Sequence, residues 1–278
     1  MFSANKQKTE IFTFSHTAEC FNLDLTLDCG QAFRWQKISD GEWHGVAGGR
    51  ALTVAQRGNE TIFSCPGESD FDAFWYDYFD LGTDYVSICN RLCTDPHLST
   101  AVTECNGIRI LRQEPWEALC SFIISQNNNI PRIKGIVSRL CETLGEPLGN
   151  GDYAFPTPQS IEAAGIAALK PLRAGFRDKY IFDAACKVAS GEVDLQKCLE
   201  LPLDEAEKEL IKIKGVGAKV AQCTLLYGLG KKNAFPVDVW VRRVMAELYP
   251  DGLPECTAGA EGIAQQYLFH WRRTQSDI

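Results

Sequence analysis

Two residues late in the chain, Lys219 and Asp238, are of the types that act as a nucleophile and an acid on one substrate. Lys219 follows the turn Gly215-Val-Gly217, and Asp238 lies in Phe235-Pro-Val-Asp-Val-Trp. A Gly-x-Gly turn leaves backbone N–H groups unpaired, and the following helix adds the positive end of its dipole. Gly215 and Gly217 therefore predict a site for a phosphate oxygen, with the lysine reaching past it.

A lysine attacks as the neutral amine, because its ammonium form has no lone pair. The positive helix end beside Lys219, with Lys212 and Lys214 nearby in sequence, disfavours the protonated form. A phosphate anchor is the alternative role of this lysine. Asp238 precedes the helical pattern Val239–Leu248, so capping alone explains its type, although a cap that faces a sugar can also stabilise developing positive charge.

The hairpin, the lysine, the spacing and the acid together resemble the helix-hairpin-helix Gly/Pro-Asp signature of DNA glycosylases. Lys219, Cys223 and Pro236-Val-Asp238-Val match more narrowly the 8-oxoguanine DNA glycosylases, over roughly residues 20–272. The resemblance implies that Lys219 attacks C1′ of the damaged nucleoside, expels the base and forms a Schiff base that decays by β-elimination. It also implies that Asp238 is catalytic and that the partner is double-stranded DNA containing 8-oxoguanine.

The same resemblance implies a pocket for the flipped base, formed by Gly30, Cys223, Gln265 and Phe269. Phe269 would stack on the base opposite Cys223, and Gln265 would hydrogen-bond its Watson–Crick edge. The Gly30 carbonyl would accept a hydrogen bond from the N7–H that 8-oxoguanine has and guanine lacks. Without the family, such a cysteine or aromatic residue is more often part of a core, and Gly30 is typical of a bulged strand.

For the opposite strand, the matching segment is Ser125-Gln-Asn-Asn-Asn-Ile-Pro-Arg132. The family implies that Asn127 fills the gap left by the extruded base and that Arg132 reads the orphaned cytosine. Phe176 and Arg177 match a pair that wedges beside that cytosine and reads it. By residue type alone, the three asparagines are typical of a turn.

Two features depart from the family pattern. Trp240 stands where members often carry a histidine that contacts phosphate, and the segment Asp251–Glu261 is shorter than usual.

No organic cofactor is expected. The 12 cysteines include no Cys-x-x-Cys, and only Cys256 follows Cys223, so the four-cysteine iron–sulfur loop of some helix-hairpin-helix glycosylases cannot form. We expect reduced, mostly buried thiols. The hairpin carbonyls of Ile211, Ile213 and Val216 are candidate ligands for a structural monovalent cation, which such hairpins often hold.

The net charge of −8 is unusual for a protein that binds phosphates. The acidic excess lies mainly in residues 1–100, with 7 Lys and Arg against 14 Asp and Glu. Residues 210–246 hold seven Lys and Arg against Asp238 alone. This pattern predicts a basic patch at the hairpin, although such a run taken alone also fits a solvated face.

The elements that position these residues fall into two parts, which together predict an α+β fold. Residues 1–100 are predicted to form an antiparallel α+β domain, because Phe21–Asp28 alternates apolar and polar residues. Further strands are predicted at Gly41–Val46, Ala51–Gln56 and Thr61–Cys65, separated by glycine turns.

Residues 101–278 are predicted to form an all-helical helix-hairpin-helix domain. Pro115 starts a helix that runs through Ser125 to the asparagines 127–129, and Pro131 starts another that ends at Gly145. Further helices are predicted near 158–169, 176–190, 204–212, 218–229, 239–248 and 260–272.

No apolar run approaches the roughly 18 residues of a membrane span, and the N-terminus lacks a signal-peptide core. We therefore expect an intracellular monomer that works where the DNA is. The alternatives are a glycosylase for another damaged base and a non-catalytic helix-hairpin-helix DNA-binding module, which has no need of Lys219 or Asp238.

Overall fold

The computed structural model describes residues 10–15, 21–65 and 70–275, in which a five-stranded antiparallel sheet precedes a set of helices. The strands are β1 Glu10–Ser15, β2 Trp35–Ser39, β3 Glu42–Ala47, β4 Arg50–Arg57 and β5 Glu60–Cys65, in the spatial order β1-β5-β4-β3-β2. The strands predicted at 41–46, 51–56 and 61–65 are confirmed, as is the α+β class. A short hairpin, β6 Pro147–Gly149 with β7 Asp152–Tyr153, lies among the helices.

Helices make up most of the second part of the chain, as predicted. They are α1 Leu23–Asp28, α2 Tyr76–Tyr78, α3 Tyr85–Leu92, α4 Pro96–Glu104, α5 Pro115–Ser125, α6 Ile130–Leu144, α7 Pro158–Ala164, α8 Asp178–Ala189, α9 Leu195–Glu200, α10 Leu203–Ile211, α11 Ala218–Tyr227, α12 Val239–Leu248 and α13 Glu261–Gln275. A π-helical turn, Phe71–Trp75, precedes α2, and 3-10 turns occupy Ile166–Leu172, Gly175–Arg177 and Glu255–Thr257. The proline starts of α5 and α6 are confirmed.

The strand predicted at Phe21–Asp28 is wrong, because most of this segment forms α1. Asn22 caps the helix, and its side chain accepts a hydrogen bond from the Leu25 amide at 2.9 Å. Leu23, Thr26 and Leu27 are the buried side chains of α1, which is the spacing of one helical face. The apolar–polar alternation wrongly suggested a strand because the polar Thr26 is buried on the same helix face as the leucines. Its hydroxyl accepts a hydrogen bond from the Arg109 amide at 3.2 Å.

Two apolar cores lie on either side of the segment that follows α1. The first packs aromatic side chains, including Trp35 and Trp75, between the sheet and α1. The second is helical and includes Cys29 and Phe33 with side chains of α3, α4 and most later helices. Residues 29–33 therefore run between the two cores. The predicted division of the chain at residue 100 stays a prediction.

A buried carboxylate joins the sheet part to the loop that leads to Asp238. The side chain of Asp80 is 1% exposed and lies 2.8 Å from Arg112 Nη2 and 2.7 Å from Lys232 Nζ. Tyr85 donates its hydroxyl to the same carboxylate at 3.0 Å. The Lys232 carbonyl accepts the Gly262 amide at 2.8 Å, which extends this connection to α13. A buried carboxylate is stable only when it is paired in this way. The cluster therefore fixes the position of the Lys232 loop and α13 relative to the segment that carries Asp80.

Replacing Tyr85 by phenylalanine should lower the free energy of unfolding by about 1–3 kcal/mol. The hydroxyl also accepts the Ile110 amide at 2.8 Å, so its removal leaves a buried amide and a carboxylate oxygen each short of one partner. Urea denaturation measures the difference. Tyr76→Phe is the control because Tyr76 is 37% exposed, and equal losses in the two variants would contradict the prediction.

Candidate active site

The glycine hairpin between α10 and α11 is built by close backbone packing. Gly215 has φ +82°, and a Cβ there would lie 2.4 Å from the ring of Tyr180, so both conformation and space require glycine. The Val216 amide closes the turn on the Ile213 carbonyl at 3.0 Å. Gly217 caps α11 without a side chain, and a Cβ there would meet nothing within 4 Å. The first amides of α11 therefore lie beside open space, although phosphate binding by Gly215 and Gly217 stays a prediction.

Lys219 lies in the first turn of α11 and its amine is held by α5. Its Nζ donates to Ser125 Oγ at 3.2 Å and lies 5.3 Å from the ring centroid of Phe122. The Ser125 hydroxyl in turn donates to the Phe122 carbonyl at 2.8 Å, which orients its lone pairs toward the lysine. Neither Phe122 nor Ser125 was given this role from the sequence. Ser125 does open the asparagine segment, but nothing in that pattern indicates which helix faces Lys219.

Asp238 caps α12, as predicted, and is half-buried. Its Oδ1 accepts the Val241 amide at 2.8 Å. Asp238 and Lys219 line the same cavity of about 770 Å³. The two residues lie nineteen positions apart in the sequence, and the structure brings them to one cavity.

Gly30 and Phe269 line that cavity as well, as the base-pocket prediction requires. Gly30 has φ +84°, and a Cβ there would lie 3.7 Å from Phe269 Cε1 and 3.3 Å from Ile130 Cδ1. The Gly30 backbone and the Phe269 ring are therefore close neighbours in the cavity wall. The remaining cavity wall includes Asp28, Phe33, Phe122, Ser125, Lys134, Trp240 and Arg273.

Cys223 and Gln265 lie behind the cavity rather than along its wall. Cys223 is 3% exposed, and burial raises the pKa of its thiol while the adjacent Lys219 opposes that shift. Gln265 is 4% exposed, and its Oε1 lies 3.4 Å from the Tyr227 hydroxyl oxygen. Tyr227 donates its single hydroxyl proton to Gln266 at 2.5 Å. Two of the four predicted pocket residues thus line the cavity and two form its buried support.

Gln31 positions Gly30, and the sequence analysis gave it no role. It is fully buried, its Nε2 donates to the Thr26 and Arg109 carbonyls at 2.9 and 2.7 Å, and its Oε1 accepts the Leu111 amide at 2.9 Å. Such bonds hold the peptide next to Gly30 in one orientation. The matching segment contains this glutamine, but only the fold brings its distant partners to it.

A second groove of about 450 Å³ adjoins the first and contains Asn127. The two share wall residues, namely Ser125, Asn128, Lys219, Asp238 and Trp240. Asn127 has φ +46°, a left-handed conformation that asparagine tolerates better than most residues. Trp240 stands in the wall of both grooves, with the Arg243 guanidinium 5.1 Å from its ring.

The residues predicted to face the opposite strand differ in exposure. Phe176 is 48% exposed and Arg132 is exposed, whereas Arg177 is 2% exposed. The Arg177 guanidinium donates to the carbonyls of Gln126, Asn127 and Ala174. Burial and the charge of Arg132 lower the pKa of this guanidinium. Arg177 therefore lies near Arg132 but faces the protein backbone.

The predicted basic patch is smaller in the structure than in the sequence. Lys212 pairs with Glu209 at 2.7 Å, Lys232 pairs with Asp80, and Lys231 donates to the Leu201 carbonyl at 2.6 Å. Lys212 is exposed but paired, and the other exposed cations of this run are Lys214, Arg242 and Arg243, which lie on the hairpin and α12. The short segment before α13 is held by Arg91, which donates to the Cys256 and Ala258 carbonyls at 2.7 and 2.8 Å.

Within the described residues, no cluster of three or more His, Cys, Asp and Glu could hold a metal ion. The cysteines described there are free thiols, and Cys20 lies outside those residues. No helix in the described part of the chain has the length and apolarity to cross a membrane.

An antiparallel sheet joined to helices, with a glycine hairpin that presents a lysine to a capping aspartate, defines a DNA glycosylase of the helix-hairpin-helix Gly/Pro-Asp class. Residues 13–119 match the family model of the 8-oxoguanine DNA glycosylase N-terminal domain, and residues 120–253 match that of the HhH-GPD superfamily of base excision DNA repair proteins. The chain belongs to the 8-oxoguanine DNA glycosylase family.

Individual relatives agree with this assignment. An N-glycosylase/DNA lyase of Saccharomyces cerevisiae is 30% identical, over 82% of this chain and 68% of the relative. The Clostridium acetobutylicum 8-oxoguanine glycosylase/lyase, solved with double-stranded DNA containing cytosine opposite 8-oxoG, is 36% identical with a TM-score of 0.88, over 96% of this chain and 98% of that one. MBOgg1, solved with a low-affinity DNA ligand, is 40% identical with a TM-score of 0.89, over 97% and 99%.

Proposed function

We propose that this protein removes 8-oxoguanine from duplex DNA and then cleaves the strand at the abasic site. The observation that carries the proposal is the shared cavity, which has Lys219 and Asp238 on its wall together with Gly30 and Phe269. A non-catalytic DNA-binding module has no use for an amine and a carboxylate on the wall of one cavity.

Lys219 is the nucleophile in this proposal. Its neutral amine forms a bond to C1′ as the bond from C1′ to the base breaks, and the departing base takes up a proton. Loss of the amine proton and opening of the sugar ring then give a Schiff base between Nζ and C1′. Abstraction of a C2′ proton eliminates the 3′ phosphate, and water releases the lysine. Ser125 holds Nζ at 3.2 Å before the attack.

Asp238 stabilises the positive charge that develops on the sugar as the base departs. Its Oδ1 is committed to the Val241 amide, which fixes the carboxylate plane, and its other oxygen is left for the substrate. A carboxylate already held in place needs no reorganisation at the moment of reaction.

Recognition of the base combines stacking with one backbone contact. Phe269 stacks on the flipped base, and the Gly30 carbonyl, held by Gln31, accepts the N7–H of the lesion. Cys223 and Gln265 complete the pocket from behind, and Gln265 reaches the Watson–Crick edge if its contact with Tyr227 opens. A single contact of this kind discriminates by about 1–3 kcal/mol, so pocket shape must contribute the rest.

The DNA backbone lies along the hairpin in this proposal. The amides after Gly215 and Gly217 bind phosphate, Asn127 fills the gap in the helix, Phe176 wedges beside the orphaned base and Arg132 reads it. The carbonyls of Ile211, Ile213 and Val216 are proposed ligands of a monovalent cation. The Ile213 carbonyl accepts the Val216 amide at 3.0 Å and, having two lone pairs, can also bind an ion. We propose that the protein works in the cell compartment that contains the DNA.

Duplexes with one 8-oxoguanine opposite each normal base test the proposal. We expect base release and strand cleavage from at least the cytosine pair, and none from the same duplex with guanine at the lesion position. A panel of other damaged bases in the same sequence separates the alternative substrates. Excision of another lesion without excision of 8-oxoguanine would contradict the proposed substrate. No excision from any duplex would contradict the proposal that the protein is a glycosylase.

A further inference from the structure

A buried tyrosine hydroxyl lies behind the base cavity and faces two glutamines of α13. Tyr227 donates its proton to Gln266 Oε1 at 2.5 Å, whereas Gln265 Oε1 lies 3.4 Å from the same hydroxyl. Tyr227 is 4% exposed and Gln266 is 1% exposed. Burial raises the pKa of the tyrosine well above its usual range. The hydroxyl therefore stays protonated and acts as a donor to Gln266.

The bond from Tyr227 fixes which way the Gln266 amide faces. With Oε1 on the hydroxyl, the Nε2 group is directed to the Cys29 carbonyl, to which it donates at 3.3 Å. A reversed amide would place two acceptor oxygens together and leave the buried Cys29 carbonyl without this donor, which is unfavourable. Tyr227, Gln266 and Cys29 thus form a hydrogen-bond relay that runs from α11 through α13 to the segment before Gly30.

The relay joins two walls of the base cavity. Cys29 directly precedes Gly30, and Gln266 lies one helical turn before Phe269 on α13. Gly30 and Phe269 both line the cavity, and they are the residues proposed to bind the edge and the face of the flipped base. The separation between these two groups therefore depends on the bond from Gln266 to Cys29.

The same relay leaves Gln265 available to the substrate. Tyr227 has one proton and gives it to Gln266, so the Gln265 Oε1 keeps its lone pairs for another donor. A guanine-type Watson–Crick edge presents N1–H and N2–H donors, which need such an acceptor. If the proton went to Gln265 instead, the amide of Gln266 would lose its fixed orientation and Gln265 would lose an acceptor site.

We propose that Tyr227 and Gln266 are positioning residues that set the spacing and the hydrogen-bonding state of the base pocket without contacting the DNA. The proposal rests on the proposed function and extends it to two residues that have no role in the sequence analysis. It predicts that the relay matters for a substrate that carries a base and has no effect on one that starts as an abasic sugar.

The first test compares base release from 8-oxoguanine opposite cytosine with borohydride trapping on a pre-formed abasic site. Tyr227→Phe removes only the hydroxyl, because the ring can still stack on Phe122, whose centroid is 5.2 Å away. Single-turnover base release should slow by about 2- to 13-fold, the effect of one buried hydrogen bond. Trapping should be unchanged, since Lys219 keeps its surroundings. An unchanged rate of base release, or an equal loss in both reactions, would overturn the proposal.

Tyr267→Phe is the matched control. Tyr267 follows Gln266 on α13 and is fully buried, and its hydroxyl donates to the Ile108 carbonyl at 3.1 Å. This variant should lose a similar amount of stability in urea and still release the base at the unaltered rate. Equal slowing in the two tyrosine variants would mean that any loosening of α13 has this effect, which contradicts a specific relay.

A double-mutant cycle tests whether Tyr227 acts through Gln266. Gln266→Leu should slow base release at least as much as Tyr227→Phe does, and the double variant should be no slower than Gln266→Leu alone, because both changes break one relay. Additive effects would overturn the relay. If Gln266→Leu does not fold, the comparison of Tyr227→Phe with Tyr267→Phe decides.

Failure of the unaltered protein to release 8-oxoguanine would contradict the proposed function instead. Binding then tests the relay, with fluorescence anisotropy on a duplex that carries 8-oxoguanine and on one that carries a tetrahydrofuran abasic analogue. Tyr227→Phe should weaken binding of the first duplex only, and equal Kd changes on both duplexes, or none on either, would overturn the relay.

Discussion

Replacement of Lys219 by glutamine should abolish the covalent protein–DNA adduct that borohydride traps and should slow excision by at least about 10⁴-fold. Glutamine can still donate to Ser125 Oγ, which now accepts Nζ at 3.2 Å, but an amide nitrogen has no nucleophilic lone pair. The variant therefore removes the chemistry while keeping a donor of similar reach. Gel analysis of borohydride-treated reactions, with excision rates from the same samples, measures both effects.

Lys134 provides the matched control, because it is a second lysine on the wall of the same cavity. Its amine donates to the Trp35 carbonyl at 3.2 Å and lies 3.5 Å from Asp28 Oδ1, so it is directed away from the site between Lys219 and Asp238. Lys134→Gln should still give the adduct. If Lys134→Gln lost the adduct while Lys219→Gln kept it, the nucleophile would be Lys134 and the assignment to Lys219 would be wrong.

The helix starts and the place of Asp238 at one of them could be predicted because local signals specify them. Pro115, Pro131 and Asp238 each mark a helix start through a property of their own backbone or side chain. The hairpin could be predicted for the same reason, since Gly215 needs a conformation that glycine adopts freely. These features depend on residues within one or two turns of each other.

The failures arise where distant residues determine the outcome. Thr26 belongs to the buried face of α1 only because the Arg109 segment covers it, and that contact turns an apparent strand into a helix. Gln31 positions Gly30 through partners some eighty residues away. The bonds that Arg177 makes in the free protein, to a loop about fifty residues earlier, could not be predicted either, and its role at the DNA stays a prediction.

Replacement of Asp238 by asparagine should slow base excision by about 10²–10³-fold, with little change in stability. Asparagine and aspartate are equally good N-caps, so the bond to the Val241 amide, now 2.8 Å long, is kept and only the negative charge is lost. The charge matters when the glycosidic bond breaks and the sugar becomes positive. Excision rates, with urea denaturation of the same preparations, separate the two roles of this residue.

A pre-formed abasic site sharpens this experiment, because its aldehyde reacts with Lys219 without any glycosidic bond to break. We therefore expect Asp238→Asn to be much less impaired in adduct formation with abasic DNA than in release of the base. Asp238→Ala should show the same excision defect. Its free energy of unfolding should also fall by about 0.5–2 kcal/mol, because the cap is then absent. If Asp238→Asn excised at the full rate while Asp238→Ala was merely less stable, the aspartate would be a cap and nothing more. A loss of excision rate in Asp238→Asn with unchanged stability would place the charge of Asp238 at the reacting sugar.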